Sequence, residues 1–528
     1  MNGFHLHDSY VVSRPFGLKD VQAEHTKTEC EVVDGVVPEW ILGSVYRQSG
    51  GAFLGEDKHA FLDGLAHINS YKFTGDGRVL FSNKFMRTKQ FKTFADTGKR
   101  TWGGTVENGK ELTVFQKLVT FFSTSTVDSR YDGVNPNVTT WLISDPEESV
   151  RLAAVTEATG EVCEFDPETL DTIKTVPMLP NQPGMVVTNA AHWFFDQISH
   201  GGYHVGLHMN YKVSLRGVTF TFKYAIWHGL SAPYTQVTEI PLATFKYGQG
   251  HKEPVENRAA YMHTVAQTKN YLIIILSSNR INYDDLIRRK CSFFGSWSAV
   301  AEPISFMVYK IKDHSTAELE YVDTIPCDKP MMIWHIANSF ESPEGNIVIQ
   351  GSSDILKPGE KITVEDDDTI ARPLMCFEIN LSNKTAICNP VVETDLRFEF
   401  PNINPYFHTK QNRFTYALEG IIGKKGSRVV CLDTEKRQVM FLSGQGEFEV
   451  PTEPVFCPRS SSGAVDELDG VVLVEVLDVE KGESLLLVCG KTETSFAVIC
   501  RVKAPIYTNL GLHSIWVPTQ VQKLIAKY

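Results

Sequence analysis

Hydrophobic residues in this chain recur with a period of two, in short runs cut by turn residues, and that alternation confines most of it to strands. Ile68 to Arg87 reads as strand, turn at Thr74-Gly75-Asp76-Gly77, strand. Val162 to Val176 repeats the plan around Asp166-Pro167-Glu168-Thr169. Phe306 to Ile325, Cys376 to Val392 and Val429 to Leu442 repeat it again, with turns at 312–315, 381–384 and 433–436. Asp, Asn, Gly and Pro supply the turns because each favours a backbone conformation that strands avoid. Hairpins run from near residue 68 to near residue 505, without a linker-like break. So many strands leave exposed edges unless the chain closes, and a ring of small sheets closes it. Seven such sheets would need roughly 75 residues each, longer than the usual propeller repeat of about 40–50, so long loops make up the difference.

Two segments depart from the alternation. Leu112 to Ser123 is apolar with a helical look, and Asn279 to Trp297 mixes charge with aromatics; both are expected outside the sheets. The acidic run Glu365 to Asp368 lies between Pro358-Gly359 and Pro373 and reads as a solvated loop, since no calcium-loop spacing accompanies it.

With 42% hydrophobic and 22% charged residues, the chain can bury a large core. A formal net charge of -12 speaks against nucleic acid as a partner, which would need a basic surface. The start, Met1 to Asp8, has neither the basic nor the apolar region of a signal peptide. No apolar run reaches the roughly 18 residues of a membrane span. The ten cysteines form no C-x-x-C pair, which fits reduced thiols and a cytoplasmic location.

Four histidines stand in apolar or small surroundings. His192 lies in Asn189-Ala190-Ala191-His192, and His263 in Tyr261-Met262-His263-Thr264. His335 lies in Met332-Ile333-Trp334-His335-Ile336-Ala337-Asn338, and His513 in Leu510-Gly511-Leu512-His513. The stretch around His335, taken alone, reads first as a core histidine satisfied by backbone groups, with a metal ligand as the alternative. Together the four are spread over more than 300 positions, so they meet only if the chain closes on itself. Four neutral imidazoles would leave two positions of an octahedral ion open, and nitrogen donors suit iron, copper or zinc. A competing trio, His200, His204 and His208, has helical spacing, but its glycine-rich stretch reads as strand.

Several stretches resemble the carotenoid oxygenase family, within it the animal branch of β-carotene dioxygenases and retinoid isomerohydrolases. Pro38 to Arg47 is similar to the family's opening motif, and Phe61 to His67 to its F-x-D-G segment. Tyr261 to Tyr271 follows its Y-x-H-[ST]-x-x-x-T-x-N-Y pattern, and Trp334 to Glu341 its F-H-x-x-N-x-[YF]-E block with Trp in first place. The resemblance covers nearly the whole chain. It implies an all-β, single-domain seven-bladed β-propeller over residues 1–528, with loops and short helices capping the iron-bearing face. By the same resemblance His192, His263, His335 and His513 hold Fe(2+), and Glu157, Glu399 and Glu453 stand behind His263, His335 and His513. Thr156, beside Glu157, is a candidate for shaping the open position at the metal; a plain strand threonine is the alternative. Three departures are visible: Trp193-Phe194 follow His192, Ser514 follows His513 where glycine is usual, and no P-D-P-C-K segment occurs in 110–140.

The implied activity is cleavage of a carotenoid or apocarotenoid double bond by molecular oxygen without an organic cofactor. Central cleavage of β-carotene to retinal is the leading expectation, and off-centre 9',10' cleavage the next. A non-oxidative retinyl ester isomerohydrolase and a metal-free propeller scaffold are the rivals. Peripheral membrane contact through 112–122 is expected, because such substrates are nearly insoluble in water.

Overall fold

A computed structural model describes residues 18–53, 64–97, 135–144, 150–157, 161–177, 185–192, 203–214, 217–228, 235–247, 260–281, 294–313, 318–359, 372–420, 422–459 and 466–521. The apolar 112–123 stretch, the acidic run at 365–368 and His200 lie outside them. The described residues form an all-β propeller with few helices. One four-stranded meander runs from Thr139–Ser144 to Thr172–Pro177, and the next from Met185–Asn189 to Thr235–Tyr247. A third comprises Val265–Gln267, Tyr271–Leu276, Ser305–Asp313 and Glu318–Pro326. The fourth comprises Met331–Glu341, Ile347–Ile355, Leu374–Asn380 and Thr385–Pro390, and the fifth runs from Phe398–Asn402 to Gln438–Phe441.

Two larger sheets complete the set. In one, the early strand Glu31–Gly35 pairs with the late strand Phe496–Lys503. In the other, Leu42–Gly50 is flanked by Ala66–Thr74 on one side and by Gly511–Pro518 on the other. Both ends of the described chain are thus stitched together. A buried ion pair lies behind the join: Arg47 Nε is 2.9 Å from Glu475 Oε2, and both side chains are almost fully enclosed. Tyr71 and Thr508 donate their hydroxyls to the same carboxylate.

The expected hairpins form where the turn residues are described; the turn expected at 312–315 runs into residues outside the described set. Asp166 Oδ1 accepts the amides of Glu168 at 2.8 Å and Thr169 at 2.7 Å, which bends the chain between Glu161–Phe165 and Thr172–Pro177. Gly75 and Gly77 take φ of +78° and +84° in the turn before Val79–Phe85, a region only glycine enters freely. Apolar side chains alternate inward and pack between neighbouring sheets. The seam between the third and fourth meanders, for example, holds Ile273, Phe306, Ile325, Met331, Ile349 and Phe377.

Two local features differ from the plain alternation. A nine-residue helix, Lys89–Thr97, presses Phe91 and Phe94 against Leu65 and Phe85. The ends of the charged–aromatic stretch, Asn279–Ile281 and Trp297–Ala299, pair as a two-stranded ribbon apart from the larger sheets. No helix among the described residues is long and apolar enough to cross a membrane.

Candidate metal centre

The four histidines come from four different sheets and meet. His192 follows the strand Met185–Asn189, and His263 precedes Val265–Gln267. These two are tied by backbone bonds: His192 N donates to His263 O at 3.3 Å, and Val265 N to His192 O at 3.2 Å. His335 sits inside Met331–Glu341, where the register shifts between Ile333 and Asn338. That bulge turns the imidazole out of the ladder, a familiar use of an irregular strand beside a site. Gly351 makes room for it, since a Cβ there would meet His335 O at 2.7 Å. His513 sits in the closing strand Gly511–Pro518.

Ring centroids of His192 lie 4.9, 4.9 and 4.1 Å from those of His263, His335 and His513. One nitrogen from each of the four lies within 4.8 Å of the others. His263 Nε2 and His335 Nε2 are 3.0 Å apart. Two imidazole nitrogens bound to one ion at a right angle lie roughly 3.0 Å apart, given metal–nitrogen bonds of about 2.1 Å. His192 Nε2 is buried and has no hydrogen-bond partner among the described residues. A buried polar atom without a partner is costly, and a metal ion at the centre would satisfy it. The donor set therefore fits a metal.

The three glutamates stand at the far side of three of these rings. His263 Nδ1 is 2.5 Å from Glu157 Oε1, and His335 Nδ1 is 2.6 Å from Glu399 Oε2. His513 Nδ1 is 3.2 Å from Glu453 Oε1. Glu399 and Glu453 accept the Nδ1–H of their partners directly, while the Tyr261 hydroxyl, 2.9 Å from His263 Nδ1, links that ring to Glu157; each arrangement leaves the Nε2 lone pair facing inward, which fixes both tautomer and aim. Burial, and then the neighbouring imidazoles, holds His192 well below the usual histidine range. Burial, His263, His513 and Arg372 do the same to His335. Both rings are neutral at ordinary pH, the form that donates to a metal.

The carboxylates are themselves held. Glu157 also accepts the Tyr261 hydroxyl, at 2.8 and 2.9 Å to its two oxygens. Ser352 Oγ donates to Glu399 Oε2 at 3.0 Å, and Arg372 pairs with Oε1. The Arg372 guanidinium also reaches Asp354 at 2.5 Å and lies 4.3 Å over the Trp334 ring. Glu453 accepts the Ser514 amide at 2.5 Å. Phe400 walls the site, its ring 5.1 Å from His335 and 5.0 Å from His513. Its φ of +51° is rare for a non-glycine residue.

Arg372, Phe400, Tyr261 and Trp334 were not singled out by the sequence as neighbours of the metal. Only the Y-x-H spacing of Tyr261 and the place of Trp334 beside His335 gave any signal. Thr156 is half-buried at the end of Val150–Val155, directly before Glu157. Of the competing trio, His200 lies outside the described residues, and His204 and His208 lie on one strand, Tyr203–Ser214. Four strand residues span roughly 13 Å, too far to share an ion.

Comparison with known proteins supplies the lineage. The family model "RPE65: Retinal pigment epithelial membrane protein" matches residues 18–518. The chain belongs to this family, the carotenoid oxygenases, and is an enzyme of the dioxygenase class. A carotenoid dioxygenase of Neurospora crassa is 36% identical over 125 residues, which is 23% of this chain and 19% of that one. The apocarotenoid-15,15'-oxygenase of Synechocystis is 23% identical over 509 residues, 93% of each chain. The crystal structure of the cobalt-substituted Synechocystis enzyme superposes with a TM-score of 0.71 at 19% identity, covering 95% of this chain and 98% of that one. At that identity the superposition speaks for the fold.

Proposed function

We propose that the four imidazoles hold ferrous iron and that the protein cleaves the central 15,15' double bond of β-carotene, consuming one dioxygen and releasing two molecules of retinal. The observation that carries this reading is the convergence of His192, His263, His335 and His513, with a carboxylate behind three of them. When bound, ferrous iron supplies the one-electron chemistry that lets triplet dioxygen react with a closed-shell polyene. The protein's part is geometric. Glu157, Glu399 and Glu453 hold the imidazoles in one tautomer, and Arg372 and Tyr261 hold two of those carboxylates. Phe400 and Trp334 give the site apolar walls that suit a hydrocarbon better than water. The full-length match to an oxygenase named for the 15,15' bond supports central cleavage. Both oxygen atoms end in the two aldehydes, so no external reductant is needed.

The reading extends to the frame and its surroundings. We read the chain as one domain, with the seven sheets of four or more strands among the described residues as its blades. The substrate reaches the protein from a lipid phase through the apolar 112–122 stretch; failure to co-sediment with liposomes would remove that contact. The decisive experiment incubates the iron-loaded protein with β-carotene in air and identifies the aldehydes while oxygen is followed. Retinal with matching oxygen uptake is expected. A longer apocarotenal would move cleavage off-centre, and turnover of a retinyl ester without oxygen uptake would replace oxidation by isomerohydrolysis.

A further inference from the structure

A second cluster of donors lies on the outer rim, at the seam between the third and fourth meanders. Cys327 directly follows the outer strand Glu318–Pro326, and Cys388 lies on the outer strand Thr385–Pro390 of the next sheet. Both thiols are buried and unbridged. They point at the same carboxylate oxygen: Cys327 Sγ is 3.3 Å and Cys388 Sγ 3.8 Å from Asp328 Oδ1. Sulfur, sulfur and oxygen all lie within 4.8 Å of one another. A tetrahedral zinc-type ion, with metal–sulfur bonds of about 2.3 Å and metal–oxygen bonds of about 2.1 Å, sets its sulfur and oxygen donors roughly 3.6 Å apart. The Met331 thioether is 3.5 Å from Cys388 Sγ and stands ready beside the group.

Two cysteines in a core are most simply small hydrophobes. The charges around these two argue for more. Two thiolates and a carboxylate on a divalent cation leave a net charge of about −1. The Lys329 ammonium stands 3.8 Å from Asp328 Oδ2 and 4.0 Å from Cys388 Sγ, where it offsets that excess. Asp328 reaches the solvent, which gives an ion a way in.

We infer that Cys327, Asp328 and Cys388 form a second metal site, which takes a thiophilic divalent cation of the zinc type and clamps two neighbouring sheets together. Binding replaces two S–H bonds by two metal–sulfur bonds and releases both protons, with no change of oxidation state. An unbound thiol is protonated at neutral pH. Proton release is therefore part of the signature.

The test titrates the reduced full-length chain with cobalt(II) under anaerobic conditions. A near-ultraviolet thiolate-to-cobalt charge-transfer band is expected, with about two protons released per ion and bleaching by zinc. The band should survive in His335→Ala, whose imidazole belongs to the other centre, and vanish in Cys388→Ser. Asp328→Asn, at a solvent-facing position that leaves the fold alone, should weaken binding by at least about tenfold, the low end of what even an outer partner of a metal contributes. Absence of the band in the unaltered chain overturns the inference, as does its persistence in Cys388→Ser or an unchanged affinity in Asp328→Asn. Recovery of the two sulfurs as a disulfide, with no band after reduction, overturns it too.

Discussion

Glu399 illustrates how one carboxylate can fix more than one group. It takes the Nδ1–H of His335, the Ser352 hydroxyl, the Phe400 amide at 3.2 Å and the Arg372 guanidinium. Glu399→Gln keeps the size but loses the charge that faces Arg372. We expect metal affinity and turnover to fall about 10–100-fold, measured by calorimetric metal titration and product formation. Glu435 is 66% exposed in a turn, so Glu435→Gln should change neither; equal behaviour of the two variants would refute the pairing with His335. A second residue carries acid sensitivity. His67 accepts from Asn83 Nδ2 at its Nε2, 3.1 Å away, and its Nδ1 lies 3.3 Å from Ser49 Oγ. Burial, then Arg87, pushes it down to about 3 from 6.5. The fold thus favours the neutral ring: its contribution is complete above about pH 6.5 and is lost as pH falls towards 3. Between pH 7 and pH 4 the unaltered protein should lose ~3 kcal/mol that His67→Gln does not, read from urea melts at the two pH values. The histidines were legible because a sequence pattern surrounds each one. Arg372 was not, since beside an acidic run it reads as a surface charge, and nothing local shows that it lies over Trp334 or faces Glu399.

Turns are the part of an element that a sequence states most openly, and here they appear where Asp, Asn and Gly cluster. Irregularities inside strands are less legible. The stretch around His335 shows only an apolar run in the sequence, whereas the structure makes it a strand, Met331–Glu341, with a bulge at the histidine. The bulge depends on Gly351 in the partner strand, and only the three-dimensional pairing reveals that. Gly351→Ala would press a methyl into the His335 carbonyl. We expect about 1–3 kcal/mol of destabilisation together with weaker metal binding, checked by melts with and without metal. Stability lost without any change in affinity would mean that the bulge does not aim the ring. The helix Lys89–Thr97 escaped notice for a different reason. It has only two bulky apolar residues, Phe91 and Phe94, and both are recruited by a neighbouring sheet rather than by helix propensity.

The ring as a whole depends on long-range contacts. Repeats are weak in the sequence, so closure followed from the exposed-edge argument and the family resemblance, and the register of the join from neither. Arg47 and Glu475 lie 428 positions apart and meet almost without solvent. Removing one partner of such a pair typically costs about 3–5 kcal/mol, because the other charge stays buried. Glu475→Gln should lower the urea midpoint accordingly with an unchanged slope; a loss below 1 kcal/mol would place the pair among weak surface bridges. Arg47→Met with Glu475→Gln should recover part of the loss, since neither charge is then stranded.

The pairing of Leu42–Gly50 with Gly511–Pro518 also sets a clock. As the chain leaves the ribosome, the inner edge of Leu42–Gly50 has no strand to accept until the region around residue 513 emerges. That same late strand delivers the fourth imidazole. An ion offered earlier would find at most three of the four donors, so the full donor set exists only once this strand has paired. Until then the unpaired edge is open to neighbouring chains. Cells making this protein quickly would therefore be expected to lose part of it to aggregation before the ring closes.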